Sequence, residues 1–396
     1  MPLSIRVAIL AAALPSLLFA QAGPPQTVTS SAGPLRVERL ASLEFPWAVA
    51  ALPDGRLLVT EKPGRLRIYA DGKLSAPVEG VPKTSYRERK QEQGGLLDVA
   101  VDPNFAQNRR IYLSFSEPAA KQSPDRKETD DPRFGGGLDM SDNMLVGGAV
   151  ARATLDGNRL NNVEVIWRQT PKTIGRGHFG NRLVFGKDGT LFITSGDRMR
   201  FDPAQDVNAN LGKVVRINAD GSIPKDNPHA GKDVWSIGHR NMLASAVHPA
   251  SGQLYVLEMG PLGGDELNVI QRGANYGWPV VSNGDNYDKS PIPDHPTRKE
   301  FQAPIKTWTP VISPSGALFY DGSLFPWKGD LLVGGLSSQA IIRLTLDGNS
   351  VKNEERLNMG RRMRDVLQAS DGALIAITDD KAGELLRLTP AKATSR

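Results

Sequence analysis

Along most of the chain, short apolar runs alternate with polar positions, and each run follows a tight polar turn. The turns and the residues after them are Asp54-Gly55-Arg56-Leu57-Leu58-Val59, Asn108-Arg109-Arg110-Ile111-Tyr112-Leu113, Asp188-Gly189-Thr190-Leu191-Phe192-Ile193, Ser251-Gly252-Gln253-Leu254-Tyr255-Val256, Lys328-Gly329-Asp330-Leu331-Leu332-Val333 and Asp371-Gly372-Ala373-Leu374-Ile375-Ala376. A period of two marks a strand, and Asp-Gly before it marks a hairpin. Six such units, each too small to bury a core alone, predict an all-β six-bladed β-propeller. The mouth of its central channel is a natural ligand site. A pair of β-sandwiches is the other reading that the pattern leaves open. The spacing of the units is uneven. The longest interval contains the polar, Gly-rich stretch 117–147, which predicts a long loop inserted on one face. No long amphipathic helix is signalled.

The two ends differ from this pattern. Arg6 precedes an apolar run from Val7 to Ala20, followed by Ala20-Gln21-Ala22. A charged start, an apolar centre too short to span a bilayer comfortably and small residues at the end predict a secretory signal peptide over 1–22. An uncleaved anchor or a buried helix is the alternative. Residues 23–34 are rich in Pro, Ser, Thr and Gly and predict a flexible leader. A single propeller then runs over 35–390, with a tail at 391–396. The mature chain is expected in the periplasm or secreted, with no stable membrane insertion after signal cleavage.

Composition narrows the chemistry. The 396 residues are 39% hydrophobic and 23% charged, and 40 Gly and 29 Pro suit many short strands joined by turns. There is no cysteine, so disulfides, thiolate metal sites and thiol nucleophiles are excluded. The net charge is +5 without a stripe of Lys and Arg, so nucleic acid is not an expected partner. The run Arg87-Glu88-Arg89-Lys90 is mixed and reads as a solvated loop. The sequence carries no nucleotide-binding glycine fingerprint, Walker loop or Gly-x-Ser-x-Gly elbow.

Four stretches carry candidate chemistry. In 175–198, His178 lies between glycines ahead of a strand-turn-strand unit that ends at Asp197. Hairpin closure brings the two together, and a carboxylate on one imidazole nitrogen raises the basicity of the other. In Gly238-His239-Arg240-Asn241, Arg240 offers fixed donors and a permanent charge for an oxyanion or carbonyl oxygen, or else packs structurally between blades. In 258–279, the Gly260-Pro261 and Gly263-Gly264 turns offer bare carbonyls, and Asp265 and Glu266 add carboxylates. Hard cations such as calcium take both kinds of oxygen, although a capped turn with solvated acids has the same pattern. In Gly360-Arg361-Arg362-Met363-Arg364-Asp365, alternation puts Arg362 and Arg364 on one face of a strand, where they need anions from the protein or from a polyanionic ligand.

Taken together, these stretches resemble the soluble sugar dehydrogenases that depend on pyrroloquinoline quinone (PQQ): the aldose sugar, soluble glucose and sorbosone-dehydrogenase-like enzymes. The resemblance spans 45–69 (FPWAVAALPDGRLLVTEKPGRLRIY) through to the Arg-Met-Arg-Asp stretch and the final blade. It implies a six-bladed propeller that oxidises the C1 hydroxyl of aldoses to lactones by hydride transfer to calcium-bound PQQ. Electrons would pass to an external cytochrome or quinone. His178 matches the catalytic base and Asp197 its orienting carboxylate. Arg240 and Asn241 match a cofactor-contacting pair, and Arg240 also stabilises developing charge. Gln93 matches a residue near cofactor and substrate. Gly260 and Pro261 match carbonyl ligands of the cofactor's calcium. Glu266 and Tyr276 match a second, structural calcium site, with Asp265 beside them. Arg362 and Arg364 match the arginines that pair with the cofactor's carboxylates.

The chain departs from glucose dehydrogenase in several places. A cofactor-binding Lys in the preceding strand is replaced by Gly335-Leu336-Ser337-Ser338-Gln339, with Ser337 the nearest equivalent. Met242-Leu243-Ala244 stands where Pro-Gln-Gly is frequent, and Gly177-His178 where Asp-His is found. These differences point to the aldose dehydrogenase branch or beyond it. A calcium-dependent lactonase on the same fold and a catalytically silent sugar- or protein-binding propeller are the readings from other classes.

Overall fold

The computed structural model describes residues 26–88, 92–122 and 144–391. Two strands come first, β1 (Gln26–Val28) and β2 (Leu35–Glu44). The first blade is β3 (Pro46–Ala51), β4 (Leu57–Glu61), β5 (Arg65–Ala70) and β6 (Lys73–Leu74). The second is β7 (Leu96–Val101), a single helical turn α1 (Phe105–Asn108), β8 (Arg110–Pro118), β9 (Val146–Asp156) and β10 (Arg159–Arg168). The third is β11 (Gly180–Phe185), β12 (Leu191–Ser195), β13 (Lys213–Ile217) and β14 (Val234–Ile237). The fourth is β15 (Asn241–Val247), β16 (Leu254–Met259), β17 (Asp265–Val269) and β18 (Lys306–Trp308). The fifth is β19 (Pro314–Phe319), β20 (Leu331–Gly335), β21 (Ala340–Asp347) and β22 (Ser350–Asn358). The sixth holds β23 (Met363–Gln368), β24 (Leu374–Thr378) and β25 (Ala382–Pro390), completed by β2 and β1.

The fold is a six-bladed β-propeller, as the turn pattern predicts. The innermost strands β3, β7, β11, β15, β19 and β23 neighbour one another in a closed ring, with β23 returning to β3. The ring is latched by β2, which pairs antiparallel with β25 from Leu35↔Pro390 to Glu44↔Ala382. Joining the two ends of the chain within one blade leaves the ring without a free radial edge.

All six polar turns lie between the innermost and second strands of their blades, at one end of the channel. Gly55, Gly189, Gly252, Gly329 and Gly372 have φ between 75° and 91°, a backbone conformation that glycine adopts without a Cβ penalty. In the second blade, α1 stands in this place and Arg109 takes the left-handed conformation itself, at φ 53°. The runs after these turns are more continuously apolar than a half-buried strand would be. Strands β4, β12 and β24 are buried at every position because neighbouring blades cover both of their faces.

The expected leader is partly ordered. Gln26–Val28 pairs with Leu35–Val37, and Val28 is buried in the core shared by the fifth and sixth blades. One apolar residue with a docking strand suffices to recruit this Ser/Thr-rich segment to the sheet edge. At the other end Ala391 still donates to the Pro34 carbonyl, at 2.8 Å. The signal-peptide expectation, 392–396 and most of the 117–147 insertion (123–143) lie outside the described residues. The insertion joins β8 to β9.

Candidate active site

The channel end opposite the polar turns is where the innermost strands begin and the second strands finish. In every blade one further rung extends the hairpin past its last strand pair there. The rungs are Phe45–Lys62, Gly95–Ser116, Phe179–Gly196, Arg240–Gly260, Ser313–Leu336 and Arg362–Asp379. Backbone bonds of 2.9–3.0 Å hold Lys62 to Phe45, Ser116 to Gly95, Gly196 to Phe179, Leu336 to Ser313 and Asp379 to Arg362. Rung residues of the first, third, fifth and sixth blades line a cavity of about 390 Å³, together with Trp47, Glu92, Gln93, Asn241, Leu243, Met259 and Arg364. That volume is in the range of small-molecule sites. Nearer the channel centre lies a buried ion triad: Arg182 Nη1 is 3.1 Å from Asp365 Oδ2 and 3.4 Å from Asp98 Oδ1, with its guanidinium over the Trp47 ring.

His178 and Asp197 meet as the hairpin predicts. His178 Nδ1 is 2.7 Å from Asp197 Oδ1, and both side chains are buried. Met199 N also donates to Oδ1, at 2.9 Å, and Trp278 Nε1 donates to Oδ2, at 2.8 Å. The carboxylate is therefore fixed on both oxygens. Burial and the nearby Arg240 hold the His178 ring below its ordinary pKa against the opposing pull of Asp197. The ring is thus neutral at pH 7, with Nδ1–H donated to Asp197 and Nε2 left as the basic nitrogen. Gln93 Oε1 accepts from the His178 backbone N–H at 2.8 Å, so Gln93 holds the loop as well as lining the cavity. Arg198, fully buried, donates to the carbonyls of Gly177, Val146 and Gly175 and clamps the same loop from behind.

Arg240 is also buried. Its Nη1 donates to the Met259 carbonyl (2.8 Å) and the Gly260 carbonyl (3.0 Å), and its Nη2 to the Tyr287 hydroxyl (3.0 Å). The structure thus brings Arg240 against one of the predicted calcium-binding carbonyls. Arg240 Nε and Asn241 Oδ1 are buried without a hydrogen-bond partner among the described residues, and Asn241 lines the cavity. Pro261 is buried in the same turn. Asp265 plays a different part from that of an acid free to coordinate. Its two oxygens accept from Gly260 N, Ile312 N and Ser313 N at 2.6–2.9 Å, which ties the carbonyl turn to the next blade. Burial pushes its carboxyl up to about 6.

Glu266 and Tyr276 line a second, smaller pocket together with Glu258 and Gly260. Glu266 Oε1 is 3.3 Å from His295 Nε2, and Asn268 Nδ2 bridges Glu266 (3.1 Å) and Glu258 (3.0 Å). Burial and the facing Glu258 raise the Glu266 carboxyl above its ordinary value. Two acids sharing one amide is an arrangement that a hard cation relieves. The Tyr276 hydroxyl, in contrast, is fully used: it donates to Val269 O (2.7 Å) and accepts from Gln271 N (2.9 Å), and its ring stacks on His239. Any ligation by Tyr276 falls to its backbone carbonyl. Among the described residues no three His, Asp or Glu side chains form a metal cluster, so carbonyls must supply much of any coordination.

Arg362 and Arg364 share one face, and both close on a carboxylate that the sequence reading did not single out, Asp379. Arg362 reaches Oδ2 with Nε at 2.8 Å and Nη2 at 2.7 Å, and Arg364 reaches Oδ1 with Nε at 2.9 Å and Nη2 at 2.6 Å. The two guanidiniums hold the Asp379 carboxyl far below its ordinary value, against burial. Asp379 was legible in principle: counting the ladder back from the Asp371-Gly372 turn puts it opposite Arg362. Glu258, Trp278 and Lys62 were missed as well. Ser337 does not take the place of the expected Lys. It is exposed, its hydroxyl is bonded to the Val311 carbonyl, and the neighbouring Leu336 lines the cavity instead.

Comparison with known proteins places the chain in a family. The family model for glucose and sorbosone dehydrogenases matches residues 43–387. The chain is 38% identical over 364 residues to an aldose sugar dehydrogenase of Escherichia coli K12, covering 88% of this chain and 91% of that one. It is 28% identical over 435 residues to quinoprotein glucose dehydrogenase B of Acinetobacter calcoaceticus, covering 87% and 85%. The PQQ-bound aldose sugar dehydrogenase structure from Streptomyces coelicolor superposes with a TM-score of 0.71 at 25% identity, over 92% of this chain and 99% of that one.

Proposed function

The chain belongs to the glucose/sorbosone dehydrogenase family, and from that premise we propose that it oxidises the C1 hydroxyl of aldose sugars to lactones, with PQQ and calcium held at the channel mouth. It is an oxidoreductase of the sugar-dehydrogenase type. The observation that carries the finer reading is the ring of rungs: one 390 Å³ cavity has paired guanidiniums on one wall and the loop that holds a carboxylate-bound imidazole on another.

The residues suit those groups. Arg362 and Arg364 would hold carboxylates of the quinone, and the unpartnered Asn241 Oδ1 leaves polar capacity in the same cavity, with the unpartnered Arg240 Nε on the adjacent residue. The carbonyls of Gly260 and Pro261 would ligate the cofactor's calcium, while Glu266 with the Tyr276 carbonyl would hold a second calcium. Asp265 would position the carbonyl turn. When bound, the quinone supplies a two-electron acceptor for hydride, and calcium polarises it.

The chain's own residues do the rest. Oxidation at C1 requires the hydroxyl proton and the C1 hydride to leave together. His178 Nε2 takes the proton, and Asp197 stabilises the resulting imidazolium through Nδ1. Trp278 and Met199 keep Asp197 from turning away. Arg240 would offer a fixed positive charge to an acceptor oxygen that gains electron density. Residues 1–22 would direct export to the periplasm or beyond. No helix among the described residues is long and apolar enough to cross a membrane. The external electron carrier would be a cytochrome or a quinone. Product analysis tests the reading: one lactone should form per two electrons delivered, and hydrolysis of added lactone without sugar oxidation would favour the lactonase instead.

A further inference from the structure

We infer that Lys62 is a third cation of the cofactor cradle, placed to bind a carboxylate of the quinone together with Arg362 and Arg364; this rests on the quinone reading above. Lys62 occupies in the first blade the same rung that Asp379 occupies in the sixth, and the two blades are neighbours in the ring. Both line the one cavity.

The lysine is held in place by its backbone. Its N–H donates to Phe45 O (2.9 Å), and its carbonyl accepts from Leu96 N (3.0 Å). A Cβ on Gly95 would collide with that carbonyl, so the close approach requires glycine. The ammonium has little to satisfy it. Nζ donates to the Glu92 carbonyl at 3.3 Å and lies 5.3 Å from the Phe45 ring centroid, and no carboxylate is within ion-pair distance among the described residues. Burial, and after it the Arg364 guanidinium, hold Lys62 below its ordinary pKa. A half-buried ammonium beside two guanidiniums is an unfavourable arrangement unless an anion arrives.

Charge count points to the same ligand. The cavity wall presents three cations, Lys62, Arg362 and Arg364, against two carboxylates, Asp379 and Glu92. Without Lys62 these groups would balance, and a ligand bearing three carboxylates would meet no net positive charge on this wall. With Lys62 in place, Asp379 can keep both arginines oriented while a cation remains free for the ligand.

The test is a quinone titration of the full-length apo-protein in calcium, followed by tryptophan fluorescence and checked by thermal shift. Parent, Lys62→Met and Lys62→Arg are compared, with far-ultraviolet circular dichroism confirming the fold. Lys62→Met should weaken binding about 10- to 100-fold, the range for a lost hydrogen bond between charged groups. Lys62→Arg should stay near the parent. With the trimethyl ester of the quinone, the difference between parent and Lys62→Met should disappear. Equal affinity of Lys62→Met and parent for the free acid, or an undiminished difference with the ester, overturns the assignment while leaving the quinone reading intact. A parent that takes up no quinone overturns both.

Discussion

His178 Nδ1 lies 2.7 Å from Asp197 Oδ1, although 18 residues and a complete strand hairpin separate them in the chain. Asp197 raises the basicity of the ring, while burial and Arg240 lower it by more. The acidic limb of the kcat/KM profile should therefore have its midpoint below 6.5, the ordinary histidine value. Asp197→Asn removes the one influence that favours the imidazolium, so the limb should move to still lower pH while the rate falls. A limb that stays in place or moves up would separate His178 from the proton transfer. His178→Ala should reduce turnover by about 10²- to 10⁴-fold with quinone binding retained.

Asp379 holds Arg364, which is 9% exposed, and Arg362, which is 46% exposed. Asp379→Asn leaves a buried guanidinium without its anion and should destabilise the quinone-free protein by about 3 kcal/mol or more. Added quinone should narrow the gap in melting temperature, because its carboxylates replace the lost one. Equal melting of the quinone-free parent and variant would show that the pair contributes nothing.

The same carboxylate has a pH signature. Its folded pKa is depressed, so its contribution is present above the unfolded value of about 3.9 and is lost as pH falls toward the folded value. The parent should lose stability below pH ~4 more steeply than Asp379→Asn does. Parallel acid-denaturation curves would contradict this.

Exposure ranks the two arginines. Arg364→Ala should weaken quinone binding by about 2–5 kcal/mol, as for a desolvated pair, and Arg362→Ala by about 1 kcal/mol or less, as for a solvated one. Quinone titration of each variant measures both. The reverse order would place the ligand over the exposed edge of the cluster. Ser337→Lys should leave affinity unchanged, because Ser337 faces solvent and Leu336 occupies the cavity wall.

Chelation of calcium should lower the melting temperature, since a cation bound only by the folded state stabilises it. Glu266→Gln should remove much of that calcium-dependent shift, because Glu266 and Glu258 share Asn268 in the small pocket. A melting temperature that chelation does not move would leave the second site without a metal.

The six hairpins were legible because each Asp-Gly or equivalent turn reports on its own neighbours, and so was the pairing of His178 with Asp197 across one of them. The shared face of Arg362 and Arg364 followed from the period of two. The partners of these residues come from elsewhere in the chain: Trp278 reaches Asp197 from another blade, and Lys62 joins Arg364 only because the first and sixth blades close the ring. Local pattern carries no information about such contacts. The side-chain partners of Asp265 and Tyr276 were hidden for the same reason: backbone groups engage both, and those on Asp265 include amides as distant as Ile312 and Ser313.

Reconstitution measures the central claim most directly. Apo-protein is given calcium and PQQ, singly and together, then an aldose and an artificial electron acceptor whose bleaching is followed. The account predicts bleaching only when calcium, PQQ and sugar are all present, with His178→Ala inactive at saturating quinone. Bleaching that is independent of PQQ, or none with any aldose from a protein that has bound the quinone, would contradict it.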